Sequence, residues 1–340
     1  MTSAAEVLAA ADHFTLEGRP PTSVCRLEGG HIHETWLVEG AGPKYVVQRL
    51  NSAIFGDLDA MMTNLLVVTE ALDLPNRPVE TPGGAFRWNE WRAFPYLEGT
   101  HRPGPAPSLD VVEEIGRAFG EFHCRAATID PDRLAVTLPG FHDLSGRLRT
   151  LDRVVAEDPV GRGADVAPEL AAVRRRRSLS TASESIDPPN VPRRVAHFDA
   201  KPDNVLLDNE TGRVRAIVDL DTVMAGSVLW DVGDLARSLS TTEPEDAVDA
   251  GRVRFLDARF DALVRGYRRE ADRLLNPAEQ AGLTVAPVIV TFEQAVRFLA
   301  DHLAGDRYYR VTRAGHNLER ARTQLALVES MLAAGLGPGQ

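Results

Sequence analysis

The residues with the most chemical potential lie in two neighbouring stretches, HFDAKPDN at 197–204, running on into the apolar VLLD, and VRAIVDLD at 214–221. Four side chains in them, Asp199, Lys201, Asn204 and Asp219, match what phosphoryl transfer to a hydroxyl requires. That reaction leaves the protein little covalent work: it must orient the nucleophile, accept its proton, hold Mg²⁺ against a triphosphate and exclude water. Asp199 is the carboxylate to face the acceptor hydroxyl, Asn204 and Asp219 supply an amide oxygen and a carboxylate for the metal, and Lys201 spreads the developing charge. Each alone has an ordinary explanation, because an aspartate after an apolar run commonly turns or caps the chain. The joint order HxDxKxxN, hairpin, AIVD is what makes them a set.

Other elements must hold that set in place. TSVCRLEGGHIHETWLVEG and PKYVVQRL are β-rich runs parted by the turn-like EGAGP, which predicts antiparallel sheet. DLDAMMTNLLVVTEAL spaces its apolar residues as a helix after the cap Asp57, and TPGGAFRWNEWRAFPYLEG predicts a further strand pair in which Pro95 limits the pairing. HRPGPAPS, 101–108, is too proline-rich for helix or inner strand and predicts a link between subdomains. Beyond it, SLDVVEEIGRAFGEFHCRA is a helix capped by Ser108, Arg174 to Arg177 form a solvated helix face, and amphipathic helices run from FLDARFDALVRGYRREADRLL onward. Gly335 to Gln340 are expected to fray. Trp36, Trp88, Trp91 and Trp230 are expected in cores or at the contact between subdomains.

Composition narrows the partners. A chain of 340 residues, 44% apolar, favours two subdomains over one. Its 38 Lys plus Arg against 49 Asp plus Glu give a formal charge of −11, which offers no drive toward nucleic acid or anionic membrane. The start, MTSAAEVLAAADHF, lacks the marks of a signal peptide, and no run approaches the roughly 20 apolar residues of a membrane span, so a cytoplasmic protein is expected. Cys25 and Cys124 have no metal-site or disulfide spacing.

The 197–221 region resembles the catalytic and metal-binding loops of the protein-kinase-like fold, and within it the aminoglycoside phosphotransferase and choline kinase superfamily. A protein kinase is excluded by the lack of GxGxxGxV, VAIK, DFG and APE-like segments. GGHIHETWLV, YVVQRLNSAIFGDLDAMMTNL, HFDAKPDNVLLD, VDLDTVMAG, DVGDLARS and RFLADHLAGDRYYRVTRAGHNLERARTQLALV, in that order, are similar to one branch, the N-acetylhexosamine 1-kinases.

The resemblance implies an α+β, bilobal protein-kinase-like fold: an N-terminal nucleotide-binding lobe at 1–96 with a small antiparallel sheet, a mostly helical C-terminal lobe at 97–340, and a hinge about 94–99 whose backbone contacts adenine. It implies ATP and Mg²⁺ as cofactors, Asp199 as base with Lys201 beside it, and Asn204 and Asp219 as metal ligands. It further implies Gly30, Gln48, Phe94, Tyr96 and Lys201 at the nucleotide, and His31, Asp199, Arg297 and Tyr308 at a sugar. His197 would pack behind the loop and Asp234 would grip its backbone. Where kinases have a phosphate-binding lysine this chain has Gln48, then Arg49, and alternation points only one of them at ATP. Asp221 is read equally as a metal or sugar contact and as a turn cap. The expected reaction is transfer of the γ-phosphoryl of ATP to a sugar hydroxyl, the anomeric hydroxyl of an N-acetylhexosamine leading, by a monomer or homodimer. An aminoglycoside phosphotransferase and a catalytically silent nucleotide-binding module are the alternatives.

Overall fold

The computed structural model describes residues 2–18, 20–27 and 32–339. Helix α1 (Ala4–Ala11) opens the chain, followed by strands β1 (Ser23–Arg26), β2 (Glu34–Glu39) and β3 (Tyr45–Arg49), helix α2 (Leu58–Ala71) and β4 (Trp91–Pro95). The strands form one antiparallel sheet in the order β1-β2-β3-β4, and Pro95, lacking an N–H, closes the last ladder opposite Tyr45. Asp57 caps α2, its Oδ1 accepting from Ala60 N at 2.9 Å, as its place before the apolar run predicts. Val7, Trp36, Val47, Trp91 and Ala93 pack α1 onto one face of the sheet, while Leu50, Phe55, Met61 and Met62 form a second small core beside α2.

The chain then crosses to the larger lobe. Strand β5 (Thr100–His101) already pairs with β7 (Val205–Asp208), so the crossing lies at Tyr96 to Gly99, earlier than the proline-rich 101–108 stretch suggests. Ladder bonds decide this, since Thr100 and His101 sit opposite Asp208 and Leu207. Helices α3 (Leu109–Ala126), α4 (Leu144–Glu157), α5 (Ala167–Arg175) and α6 (Leu179–Ala182) follow, then β6 (Arg194–Ala196), β7, β8 (Val214–Ile217) and β9 (Met224–Gly226). Strand β7 pairs with β8, and β6 with β9. Helices α7 (Leu229–Leu239), α8 (Asp257–Ala271), α9 (Pro277–Gly282), α10 (Ala286–Ala304) and α11 (His316–Ala333) complete the lobe. The result is the bilobal α+β architecture that the sequence leads one to expect.

One large core, built from α3, α7, α8, α10 and α11, holds the second lobe together. Helices α3 and α8 cross with their backbones in contact: a Cβ on Gly116 would lie 2.2 Å from Leu263 O, and one on Gly266 1.9 Å from Glu113 O. That closeness brings His123 of α3 to Tyr267 of α8. Trp36, Trp91 and Trp230 are buried, and Trp88 stacks on His13. Arg176 and Arg177 make exposed pairs with Glu329 and Asp152, in keeping with a solvated face. The tail differs from expectation. Leu336 N and Gly337 N donate to Met331 O and Thr284 O, and the apolar Leu336 packs on the main core, which docks 335–337.

Candidate active site

The loop between β6 and β7 carries Asp199 half-buried at its centre. Lys201 Nζ donates to Asp199 Oδ2 at 2.7 Å, and Asn204 Nδ2 donates to Asp199 O at 2.9 Å and to Oδ2 at 3.0 Å. Among the described residues no donor reaches Asp199 Oδ1, which is left for an outside group. With its nitrogen fixed on Asp199, Asn204 keeps its amide oxygen free of any hydrogen bond from a described residue. Burial works against the charge of Lys201, but Asp199 and Asp219 more than offset it and push the ammonium's pKa up.

Two residues of the site have left-handed backbones that non-glycine residues adopt at a cost of about 1–3 kcal/mol. They are Phe198, with φ 66°, and Asp219, with φ 63° and ψ 54°. Asp231, fully buried in the first turn of α7, holds the first: its carboxylate accepts from His197 N at 2.6 Å and from Phe198 N at 2.7 Å. His123 Nε2 donates to the same carboxylate at 2.9 Å, and His123 Nδ1 lies 2.9 Å from the Tyr267 hydroxyl. Burial alone would raise the Asp231 pKa, yet His123 and these N–H donors bring it below the usual carboxylate value. The grip expected of Asp234 therefore belongs to Asp231. Asp234 lies three residues on and bonds Arg237 at 2.7 Å instead.

His197 packs under the loop as expected. Its Nδ1 accepts from Asp199 N at 3.3 Å, which leaves Nε2–H to donate to Val218 O at 3.0 Å. Thr222 Oγ1 donates to His197 O, and Val218 N to Asn204 O, so loop and 218–222 segment form one unit. Asp219 lies within that unit, exposed and without a hydrogen bond from any described residue. Its carboxyl pKa is raised by desolvation from the protein packed around it and by the neighbouring carboxylates of Asp221 and Asp199. Among the described residues no group of three or more His, Cys, Asp or Glu is arranged to hold a metal. The Asn204 oxygen and the Asp219 carboxylate are two hard donors that accept no hydrogen bond from a described residue, which suits an ion that keeps its remaining positions for phosphate and water.

Asp221 does not join them. It forms a bidentate pair with Arg92 of β4, Nη1–Oδ1 at 2.5 Å and Nη2–Oδ2 at 2.7 Å, and takes a third bond from His33 Nε2 at 2.6 Å. Burial opposes its charge, but Arg92 and His33 hold the carboxyl far below its ordinary value. Sequence reasoning did not single out Arg92 or His33 as site residues, and it weighed neither an arginine nor a histidine as the partner of Asp221. The available signal was the charged Arg92 inside an apolar strand.

The remaining predicted residues sit as follows. Gly30 and His31 lie outside the described residues, as does Gly29. Gln48 donates from Nε2 to Thr35 Oγ1 at 3.1 Å and accepts from Arg92 Nε at 2.9 Å, while Arg49 takes the opposite face and pairs with Glu90. Phe94 lies under the Arg92 guanidinium, and Tyr96 N donates to Lys44 O, which commits one N–H of the expected hinge. Arg297 of α10 lies over Phe141, Tyr308 and Tyr309, 5.3–6.0 Å from their ring centres, with a hydrogen bond to Gln294 and no ion pair among the described residues. Asp301, one helical turn on, caps the following turn, accepting from the backbone of Arg307, Tyr308 and Tyr309 at 2.9 Å each. Asp234 lies in electrostatic reach of Arg297 on one side and of Asp199 and Lys201 on the other.

Comparison with known proteins gives a consistent picture. The phosphotransferase enzyme family matches residues 23–273. A microcompartment-associated aminopropanol kinase superposes with a TM-score of 0.64 at 18% identity, over 96% of this chain and 97% of that one. A macrolide 2′-phosphotransferase from Brachybacterium faecium gives 0.59 at 19% identity, over 94% and 97%. A spectinomycin phosphotransferase solved with ADP and spectinomycin gives 0.61 at 12% identity, over 98% and 99%. At these identities the three structures speak for the fold, and the acceptors in their names differ from one another.

Proposed function

The chain belongs to the phosphotransferase enzyme family, and from that premise we propose that it is an ATP-dependent small-molecule kinase whose acceptor is a sugar hydroxyl, the anomeric hydroxyl of an N-acetylhexosamine first. The observation that carries the reading is the arrangement around Asp199: one carboxylate oxygen is held by Lys201 and Asn204, and the other is left for an acceptor. Asp199 orients the hydroxyl and takes its proton as the oxygen forms a bond to the γ-phosphorus. The bond from that phosphorus to the β–γ bridging oxygen breaks and ADP leaves. Lys201 faces the charge that spreads over the transferred group. The Asn204 oxygen and Asp219 would hold Mg²⁺, which when bound neutralises charge on the triphosphate. Phe94 and Tyr96 flank the adenine in this reading, Gln48 offers its remaining N–H toward phosphate, and the lobes divide at about residue 96.

The acceptor assignment draws on Arg297 and Tyr308. A guanidinium without a carboxylate partner among the described residues has donors to spare for hydroxyls, and a tyrosine ring that is 57% exposed can pack on the apolar face of a sugar. A fixed cation there weighs against a polycationic aminoglycoside. The test is ATP consumption by the purified protein with hexoses, amino sugars, N-acetylated sugars, amino alcohols and aminoglycosides, followed by phosphorus NMR of the product. Turnover only with aminoglycosides or amino alcohols would sink the sugar assignment. Asp199→Asn should lose orders of magnitude in turnover yet bind Mg·ATP, and near-normal turnover would refute its role as base.

A further inference from the structure

Protein kinases set their phosphate lysine with a glutamate from a helix, an ion pair that must form for activity. Here Gln48 stands at the lysine's place, and directly opposite it in the ladder, one strand over, is Arg92. Arg92 is 1% exposed and each of its three nitrogens is engaged: Nε to Gln48, Nη1 and Nη2 to Asp221, with the Met62 sulfur 3.8 Å from Nη1. His33 completes the cluster. Its Nδ1 accepts from Asn51 N at 3.0 Å, so the proton sits on Nε2 and is donated to Asp221. The chain of bonds thus runs from Thr35 on β2 through Gln48 on β3 and Arg92 on β4 to the acid two positions after Asp219.

Two further buried side chains bind the same segment from the N-terminal side. Asn76 Nδ2 donates to Ile217 O, and Asn64 of α2 donates to Val223 O, each at 3.0 Å. The 217–223 segment is therefore held at three points by the small lobe and at 218 and 222 by the catalytic loop. We propose that Arg92, with His33, is a positioning residue that replaces the lysine–glutamate pair: it fixes Asp219 through Asp221 and keeps the small lobe seated on the metal segment before any nucleotide arrives. Its fork geometry matters, because a point charge cannot hold both carboxylate oxygens of Asp221 in one orientation. The inference rests on the proposed function only in taking Asp219 as a metal ligand.

The test joins hydrogen exchange in the free protein to a measurement of Mg·ATP binding. In the nucleotide-free protein, hydrogen exchange should find the amides of Val218 and Val223 protected, with little added by Mg·ATP. Arg92→Lys should lose that protection locally while α10 keeps its own. Free exchange at 218–223 in the wild type, slowed only by Mg·ATP, would overturn the proposal, as would unchanged protection in Arg92→Lys. For function, the paired change Arg92→Met with Asp221→Leu removes both buried charges together, which proteins often tolerate. It should need at least about tenfold more Mg²⁺ for half-maximal Mg·ATP binding, on the scale of losses seen when groups that orient metal ligands are removed. A folded double variant with the wild-type Mg²⁺ requirement would also overturn it. Should the double variant fail to fold, the exchange experiment decides. If the wild type shows the expected protection but binds no Mg·ATP, the proposed function fails and the positioning of 217–223 stands.

Discussion

The assignment of the loop's anchor to Asp231 can be tested with Asp231→Asn. The carboxylate takes three donors: Phe198 N on Oδ1, and His197 N and His123 Nε2 on Oδ2. An asparagine that keeps the two on one oxygen must turn its own NH₂ toward the Phe198 N–H, and the opposite flip is worse. At least one charge-assisted bond is lost and a buried donor is stranded, together about 3–5 kcal/mol. With unfolding entropy near ~2.1 cal/mol/K per residue over 340 residues, this lowers Tm by roughly 4–7 °C. The same loss frees Phe198 from its left-handed backbone, and a shift of about 1 Å in the adjoining Asp199 costs on the order of 10²-fold in turnover. Scanning calorimetry and a coupled ATP assay measure both. Asp234→Asn is the control, because its partner is Arg237 and no loop amide, so His197 and Phe198 should exchange as in the wild type. A folded Asp231→Asn enzyme with turnover within about threefold of wild type, or an Asp234→Asn enzyme with a loosened loop, would refute the reasoning.

Two other outcomes follow from the geometry. Asp301→Ala removes the acceptor of three backbone N–H groups under Tyr308 and Tyr309, so the KM for the acceptor should rise about tenfold while that for ATP stays put, with roughly 2–4 kcal/mol of stability lost; equal effects on both substrates would count against it. The second concerns alkaline stability. Burial, only partly opposed by Arg297, pushes the Tyr309 phenol up to about 12. Against about 10 in the unfolded chain, the raised value means that the fold favours the neutral phenol. Its contribution, about 2–3 kcal/mol, is present below pH ~10 and lost as pH rises toward ~12. Urea midpoints across that range should fall less steeply in Tyr309→Phe, and identical slopes would remove this account.

The parts of the fold legible in the sequence are those fixed by neighbours in the chain. Asp57 and Ser108 cap helices because their side chains need only reach amides three residues on, at Ala60 and Val111. Gln48 and Arg49 part to opposite faces because strands alternate. The parts that were not legible depend on orientation across the fold. Asp231 and Asp234 are one helical turn apart, and nothing local says which faces residues 197 and 198. Arg92 and Asp221 are 129 positions apart, and only the packing of β4 against the 217–223 segment joins them. The tail reads as frayed from its glycines, yet Leu336 finds an apolar seat beside α10.

Under the proposed function, the charge arrangement accounts for how a site with Gln48 in place of a strand lysine would hold a metal. Three carboxylates, Asp199, Asp219 and Asp221, lie close together against two cations, Lys201 and Arg92, with His33 neutral. Arg92 is engaged by Asp221, and Lys201 is shared between Asp199 and Asp219, so the uncompensated charge falls on Asp199 and Asp219. A lysine at position 48 would spend a third cation there and weaken that field. The glutamine leaves it intact, and under the proposed function the charge that remains would draw a divalent cation to Asp219.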